Sequence, residues 1–144
     1  VILRQGSAMG TEKQKLGKWG EGQAANYLIQ QGYEILERNA RTRYGEIDLV
    51  AQHLDLHLSA GQQAGSKTGQ MVVFVEVKTR TSLAFGYPEQ AVDRQKQAHM
   101  LAAAKAYLQD HPELGETWRL DVISIQRYSD RPPDITHFEN VLTV

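Results

Sequence analysis

The sequence predicts a single α/β domain. Two runs rich in β-branched residues, Glu46 to Val50 and Val72 to Arg80, read as strands. Two amphipathic stretches, Leu16 to Gln31 and Glu89 to Gln109, read as helices on either side of them in the chain. A length of 144 residues with 41% apolar content suits one domain with one core.

Residues 1–10 carry no periodic pattern. Their apolar start is too short for a signal peptide, and Gly6-Ser7-Ala8-Met9 reads as an expression-tag junction, so they are set apart from a domain at 11–144. In the first helix Leu16, Trp19, Tyr27 and Leu28, with small Gly20 and Ala24, fall near one face, and Gly32 supplies the usual stop. Glu21 lies beside that face; on its own it reads equally as a solvated carboxylate or a functional one. Tyr33 to Asn39 is the first strand, with Tyr33, Ile35 and Glu37 alternating against Glu34, Leu36 and Arg38. Ala40 to Tyr44 is a basic turn. Its Arg41 and Arg43 are either solvated or placed to grip phosphate, whose geometry guanidinium matches.

Beyond Val50 the alternation continues to Ser59, and residues 60–70 are rich in Gly, Gln and Ser, which predicts an extended hairpin insertion around 51–70. Leu54, Leu56 and Leu58 point one way along it, His53, Asp55 and His57 the other. The His-x-Asp-x-His set could ligate a transition metal; its plainer reading is the wet face of the arm. Phe85-Gly86-Tyr87-Pro88 reads as a turn into the second helix, whose core stripe is Val92, His99, Met100, Ala103 and Tyr107. His111-Pro112 ends that helix. Trp118 to Arg127 is a strand with Leu120, Val122 and Ser124 opposite Asp121, Ile123 and Ile125, and Asp121 is expected to pair with an arginine. A loop at 130–134 precedes a final edge strand from Ile135 to Val144.

The chemistry concentrates at the end of the third strand. Met71 to Val75 shows no polar alternation, so that strand is buried on both faces, yet it runs into Glu76-Val77-Lys78. Glu76 and Lys78 share a face, as do Glu46 and Asp48, roughly 7 Å apart along their strand. If the two strands pair as a hairpin, Asp48, Glu76 and Lys78 converge. Buried charge is costly unless paired or bound to metal. Asp48, Glu76 and the Val77 carbonyl would then hold a hard divalent cation, Mg²⁺ or Mn²⁺, with Lys78 orienting or deprotonating a water. The same residues also read as a cross-strand ion pair. Glu46 fits a supporting role behind Asp48, or a pairing with Arg38 or Arg43, and Arg80 shares the Lys78 face.

Asp48, Glu76 and Lys78 resemble the PD-(D/E)XK nuclease signature. The wider text is similar to the YraN-like family of endonuclease-like proteins, related in fold to archaeal Holliday-junction resolvases. The matching pieces include Gly20-Glu21 with Ala24, Tyr27 and Leu28; Gly32 to Leu36 with Arg38-Asn39; Gly45 to Val50; Phe74 to Arg80; Phe85-Gly86 with Pro88; and Ala91-Val92 with Lys96. The resemblance implies a restriction-endonuclease-like mixed β-sheet flanked by α-helices and metal-dependent phosphodiester hydrolysis. It makes Glu21 a further acidic group of the active site, and puts Gln95 and Lys96 of the second helix, with Arg43 and Arg80, in contact with substrate phosphate. Gln90 stands where the family pattern more often has glutamate, and the 51–70 connection is longer than usual.

Composition narrows the classes further. With no cysteine there is neither a disulfide framework nor a thiolate zinc site, which fits the cytoplasm. No stretch approaches the roughly 20 apolar residues of a membrane span. The formal charge of −1 excludes a globally basic nucleic-acid binder, so attraction to DNA must be local. The expected function is hydrolysis of DNA, with branched DNA among the candidate substrates and a homodimer as one way to cut two strands. A binding or scaffold module that keeps the fold without turnover is the alternative.

Overall fold

The computed structural model describes residues 10–54, 70–81 and 94–142. Helix α1 (Glu12–Gln30) begins one turn earlier than the apolar periodicity suggests. Thr11 and Gln14 form a capping box there: Thr11 Oγ1 accepts from the Gln14 amide at 3.1 Å, and the Thr11 amide donates to Gln14 Oε1 at 2.8 Å. Gly32 ends it at φ +93°, and the Tyr33 amide turns back to the Leu28 carbonyl at 2.9 Å.

Strand β1 (Glu34–Thr42) turns through Arg43-Tyr44 into β2 (Gly45–Leu54), and β3 (Gln70–Arg80) pairs antiparallel with β2. Helix α2, described from Arg94 to Asp110, and a short 3-10 turn (Pro112–Leu114) lead to β4 (Trp118–Gln126), which lies parallel to β3. Strand β5 (Asp134–Phe138) closes the edge antiparallel to β4. The result is one mixed five-stranded sheet in the order β1-β2-β3-β4-β5 with the helices packed against it, an α/β architecture consistent with the restriction-endonuclease-like fold.

The two faces of the sheet carry separate cores. Ala24, Ala25 and Leu28 of α1 pack on Leu49, Val73, Val75, Ile123 and Ile125. On the other face Ala103, Ala104 and Tyr107 of α2 pack on Val50, Val72, Phe74 and Leu120. Burying each large side chain of this kind contributes about 1.5–3 kcal/mol. The small residues of both helices let them sit close to the sheet.

Three expectations need correction. Strand β1 runs on through the expected turn at Ala40 to Thr42, and a bulge at Leu36 breaks its alternation: Ile35 pairs Ala51 while Glu37 pairs Val50. Leu36 therefore joins the α2-side core, and Glu37 accepts a hydrogen bond from Tyr107 at 2.8 Å. His99 is exposed instead of packed. The final strand stops at Phe138 because Asn140 turns left-handed at φ +53°, its amide donates to Asp121, and the Val141 amide returns to the Leu120 carbonyl at 2.8 Å. Residues 1–9, most of the insertion including Asp55 and His57, the Phe85 to Pro88 turn and the Glu89 to Val92 start of the second helix lie outside the described residues.

Candidate active site

The site forms where β2 and β3 part. The last ladder pair before it is Leu49 with Val75. Beyond that pair a side chain replaces the backbone acceptor: Asp48 Oδ2 takes the Val77 amide hydrogen bond at 2.8 Å. One residue's N–H and C=O point to the same side of a strand, so the Val77 carbonyl is also directed toward β2. Alternation along β3 puts Phe74, Glu76 and Lys78 on the α2 face, where Phe74 anchors the core. Glu76 is buried, and its Oε1 is shared by two ammonium groups, Lys96 Nζ at 3.1 Å and Lys78 Nζ at 3.3 Å.

Glu21 arrives from the opposite layer because its neighbour is glycine. Gly20 is buried, and a Cβ there would overlap the Thr79 hydroxyl, so only glycine lets α1 touch the end of β3. Asn39 ties Glu21 to β2. It sits in β1 at φ +53°, between the pairs Arg38–Leu49 and Ala40–Ile47. With its amide turned so that nitrogen faces the acceptors, Asn39 Nδ2 donates to Glu46 Oε1 at 2.8 Å and to Glu21 Oε2 at 3.2 Å.

Close carboxylates leave an electrostatic mark. Burial, then the Glu76 charge, push the Asp48 carboxyl up to about 7, against the lowering effect of the Val77 N–H. Burial also raises Glu21; the Asn39 hydrogen bond opposes this and the charges of Glu46 and Glu76 reinforce it. Both shifts mark a centre where ionised carboxylates are unfavourable, through burial first and neighbouring negative charge second. A cavity of about 120 Å³ opens beside it, lined in part by Tyr44, Glu46, Glu76, Lys96 and His99.

Most of the sequence-predicted residues meet here: Asp48, Glu76, Lys78, Val77, Glu21, Glu46 and Lys96. Lys96, expected on phosphate, also pairs with Glu76. Arg43 stands at the rim with its guanidinium over the Tyr44 ring, 4.9 Å from the centroid. Gln95 is exposed on α2. Arg80 keeps its Nε buried without a hydrogen-bond partner, a group that costs stability until something binds it. Asn39 was the residue that spacing missed; its only signal was an asparagine beside an arginine, a type that tolerates left-handed backbone.

A second polar cluster lies toward the other end of the sheet. Asp121 is fully buried and, as expected, paired with an arginine: Arg119 Nε and Nη2 donate to its two oxygens at 2.8 Å each. His137 Nε2 adds a contact at 2.6 Å and the Asn140 amide another at 3.0 Å. Burial alone would raise Asp121, but these hydrogen bonds hold it below the usual carboxylate range. His53, expected on a wet face, packs against Tyr33 with ring centroids 4.3 Å apart and the planes tilted by 42°. The cluster is a satisfied structural network.

The donor set tests the metal expectation. Asp48, Glu76 and the Val77 carbonyl are all oxygen donors, the kind that suits Mg²⁺ or Mn²⁺ and not zinc. The raised Asp48 marks burial, and then repulsion from Glu76, both of which a bound cation would offset. Among the described residues no three His, Cys, Asp or Glu side chains stand in a metal-holding group. Two carboxylates and a carbonyl are a donor set of the kind that leaves an ion's other positions to water and phosphate, as is common for Mg²⁺.

The model of Uncharacterised protein family UPF0102 matches residues 20–125. A UPF0102 protein of Syntrophotalea carbinolica is 39% identical over 133 residues, which is 92% of this chain and 95% of the relative. One from Syntrophomonas wolfei is 43% identical over 126 residues, covering 88% and 96%. One from Geobacter metallireducens is 41% identical over 132 residues, covering 92% and 95%.

Proposed function

The chain belongs to the UPF0102 family, and from the chemistry of its site we propose that it is a metal-dependent endonuclease that hydrolyses phosphodiester bonds in DNA, with a PD-(D/E)XK-type centre. The observation that carries this reading is the convergence of Asp48 and Glu76 at the end of a buried strand, with Lys78 3.3 Å from Glu76. Mg²⁺ or Mn²⁺, held by Asp48, Glu76 and the Val77 carbonyl, would offset charge on the scissile phosphate and lower the pKa of a bound water. The Val77 amide fixes the Asp48 carboxylate in place before any ligand arrives. Lys78, held by Glu76, orients the attacking water and stabilises the charge that develops on it. Lys96, on the same Glu76 oxygen, is positioned to transfer its charge to substrate phosphate. Glu21 adds a third carboxylate, with Glu46 supporting it through Asn39. Arg43, Arg80 and Gln95 complete the proposed phosphate contacts.

Branched DNA is one candidate substrate, a homodimer one candidate assembly, and the cytoplasm the proposed compartment. No helix among the described residues is long and apolar enough to cross a membrane. The test is a labelled panel of single-stranded DNA, duplex, flap, four-way junction and RNA, incubated with Mg²⁺, Mn²⁺ or EDTA. Wild type should cut a DNA member only with metal, and Lys78→Ala should lose at least about 100-fold in rate. Tight junction binding without cutting would instead favour a binding module that keeps the fold.

A further inference from the structure

The sheet end that carries the carboxylates also carries three arginine–aromatic stacks. At the β1–β2 turn Arg43 lies over Tyr44, which is 47% exposed. Past the end of β4, Arg127 lies over Trp19 of α1 at 5.1 Å from the ring centroid. In the β4–β5 connection Arg131 lies over Tyr128 at 3.8 Å. Arg43, Arg127 and Arg131 are all exposed.

The topology puts these stacks on one rim. Strand β2 begins at the end of the sheet where antiparallel β3 finishes, so Tyr44 flanks Glu46 and Asp48. Strand β4 is parallel to β3, and the Arg127 amide donates to the Arg80 carbonyl at 2.8 Å, so the Trp19 stack flanks Lys78 and Arg80. Gly20 against Thr79 sets Trp19 beside the same strand end. The platforms thus stand on both sides of the carboxylates, at β2 and β4, which lie two strand spacings of ~4.8 Å apart, about 10 Å.

We propose that this rim binds unpaired nucleotides on either side of the scissile phosphate, their bases stacking on the exposed Tyr44 ring and on the outward faces of the Arg127 and Arg131 guanidiniums, which Trp19 and Tyr128 back. This rests on the nuclease reading and narrows its substrate to DNA with a single-stranded stretch at the cut. Paired bases are stacked on each other and cannot offer a face to a platform; unpaired ones can, whatever their sequence. The charge balance agrees. Asp130 lies beside Arg131 in the β4–β5 connection and Asp134 opens β5, where it accepts a hydrogen bond from Tyr128 Oη at 2.8 Å, so the rim is not strongly basic. Affinity that comes from stacking depends less steeply on salt than affinity that comes from phosphate neutralisation.

The experiment is fluorescence anisotropy with a labelled oligothymidine and a blunt duplex of equal length, in EDTA, over a range of salt. The expected result is tighter binding of the single strand, with a shallow salt slope. Tyr44→Ala and Arg127→Ala should each weaken single-strand binding roughly tenfold, within the range for loss of one stacked base, and leave duplex binding unchanged. Thermal melting checks that both variants fold, and Tyr44→Phe, which keeps the ring, should bind as wild type does. Equal binding of duplex and single strand, no binding of either, or no loss in the two alanine variants would overturn the proposal. Cleavage of the same oligonucleotides with Mg²⁺ separates the two readings: single-strand binding without cutting sinks the nuclease and keeps the platforms, whereas cutting of duplex without single-strand preference does the reverse.

Discussion

At the residue scale, Asp48 sets a measurable pH dependence. Its carboxyl titrates near 7 in the folded protein and near 3.9 when unfolded, so the folded state binds the extra proton between those values. The stabilisation is complete below about pH 4 and is lost as pH rises through 7. Without divalent metal, the Asp48 contribution should therefore lower the melting temperature between pH 5 and 8, and Asp48→Asn should flatten that part of the curve. Asp121 has the opposite sign: its carboxyl is held low, so its stabilisation is lost as pH falls below the ordinary carboxylate range. Asp121→Ala leaves Arg119 and His137 without their buried partner and should cost about 3–5 kcal/mol in denaturant unfolding. Asp48, Glu76 and Lys78 were legible in the sequence because strand alternation alone assigns their faces. Asn39 and His137 were not, since their roles depend on a left-handed turn and on a strand more than ten residues from its partner.

At the element scale, the approach of α1 to β3 depends on one missing methyl group. Gly20→Ala would drive a Cβ into the Thr79 hydroxyl and should destabilise by about 1–3 kcal/mol while pulling Glu21 away from Asp48. Chemical denaturation of Gly20→Ala, alone and with Thr79→Ala, checks this: the second change should recover part of the loss. The helices and strands themselves were readable from period and β-branching. What the sequence hid was local irregularity: a bulge at Leu36 that turns two consecutive side chains toward α2, and a capping box that starts α1 early. Neither alters the apolar pattern that marks the element.

At the scale of the whole molecule, metal and fold should be linked. If Mn²⁺ binds the native site alone, a hundredfold excess over its Kd stabilises by ~2.7 kcal/mol, a rise of roughly 5–10 °C in melting temperature for a domain of this size. Differential scanning fluorimetry should detect that rise in wild type and lose it in Asp48→Ala; a rise that survives Asp48→Ala but vanishes in His53→Ala would place the ion elsewhere. The α/β architecture was legible because its two helices and buried strand carry strong patterns, whereas the layout of the site needed the register of β2 on β3. That register has one more consequence. The hairpin joins β2 to β3 beyond Leu54 and Gln70, at the end of both strands away from Asp48 and Glu76. Doubling the length of such a connection adds only about 0.6 kcal/mol of closure entropy. A change of chain length between Leu54 and Gln70 therefore enters the sheet at the end away from Asp48 and Glu76, and any strain it brings reaches the chemistry only through the whole length of both strands.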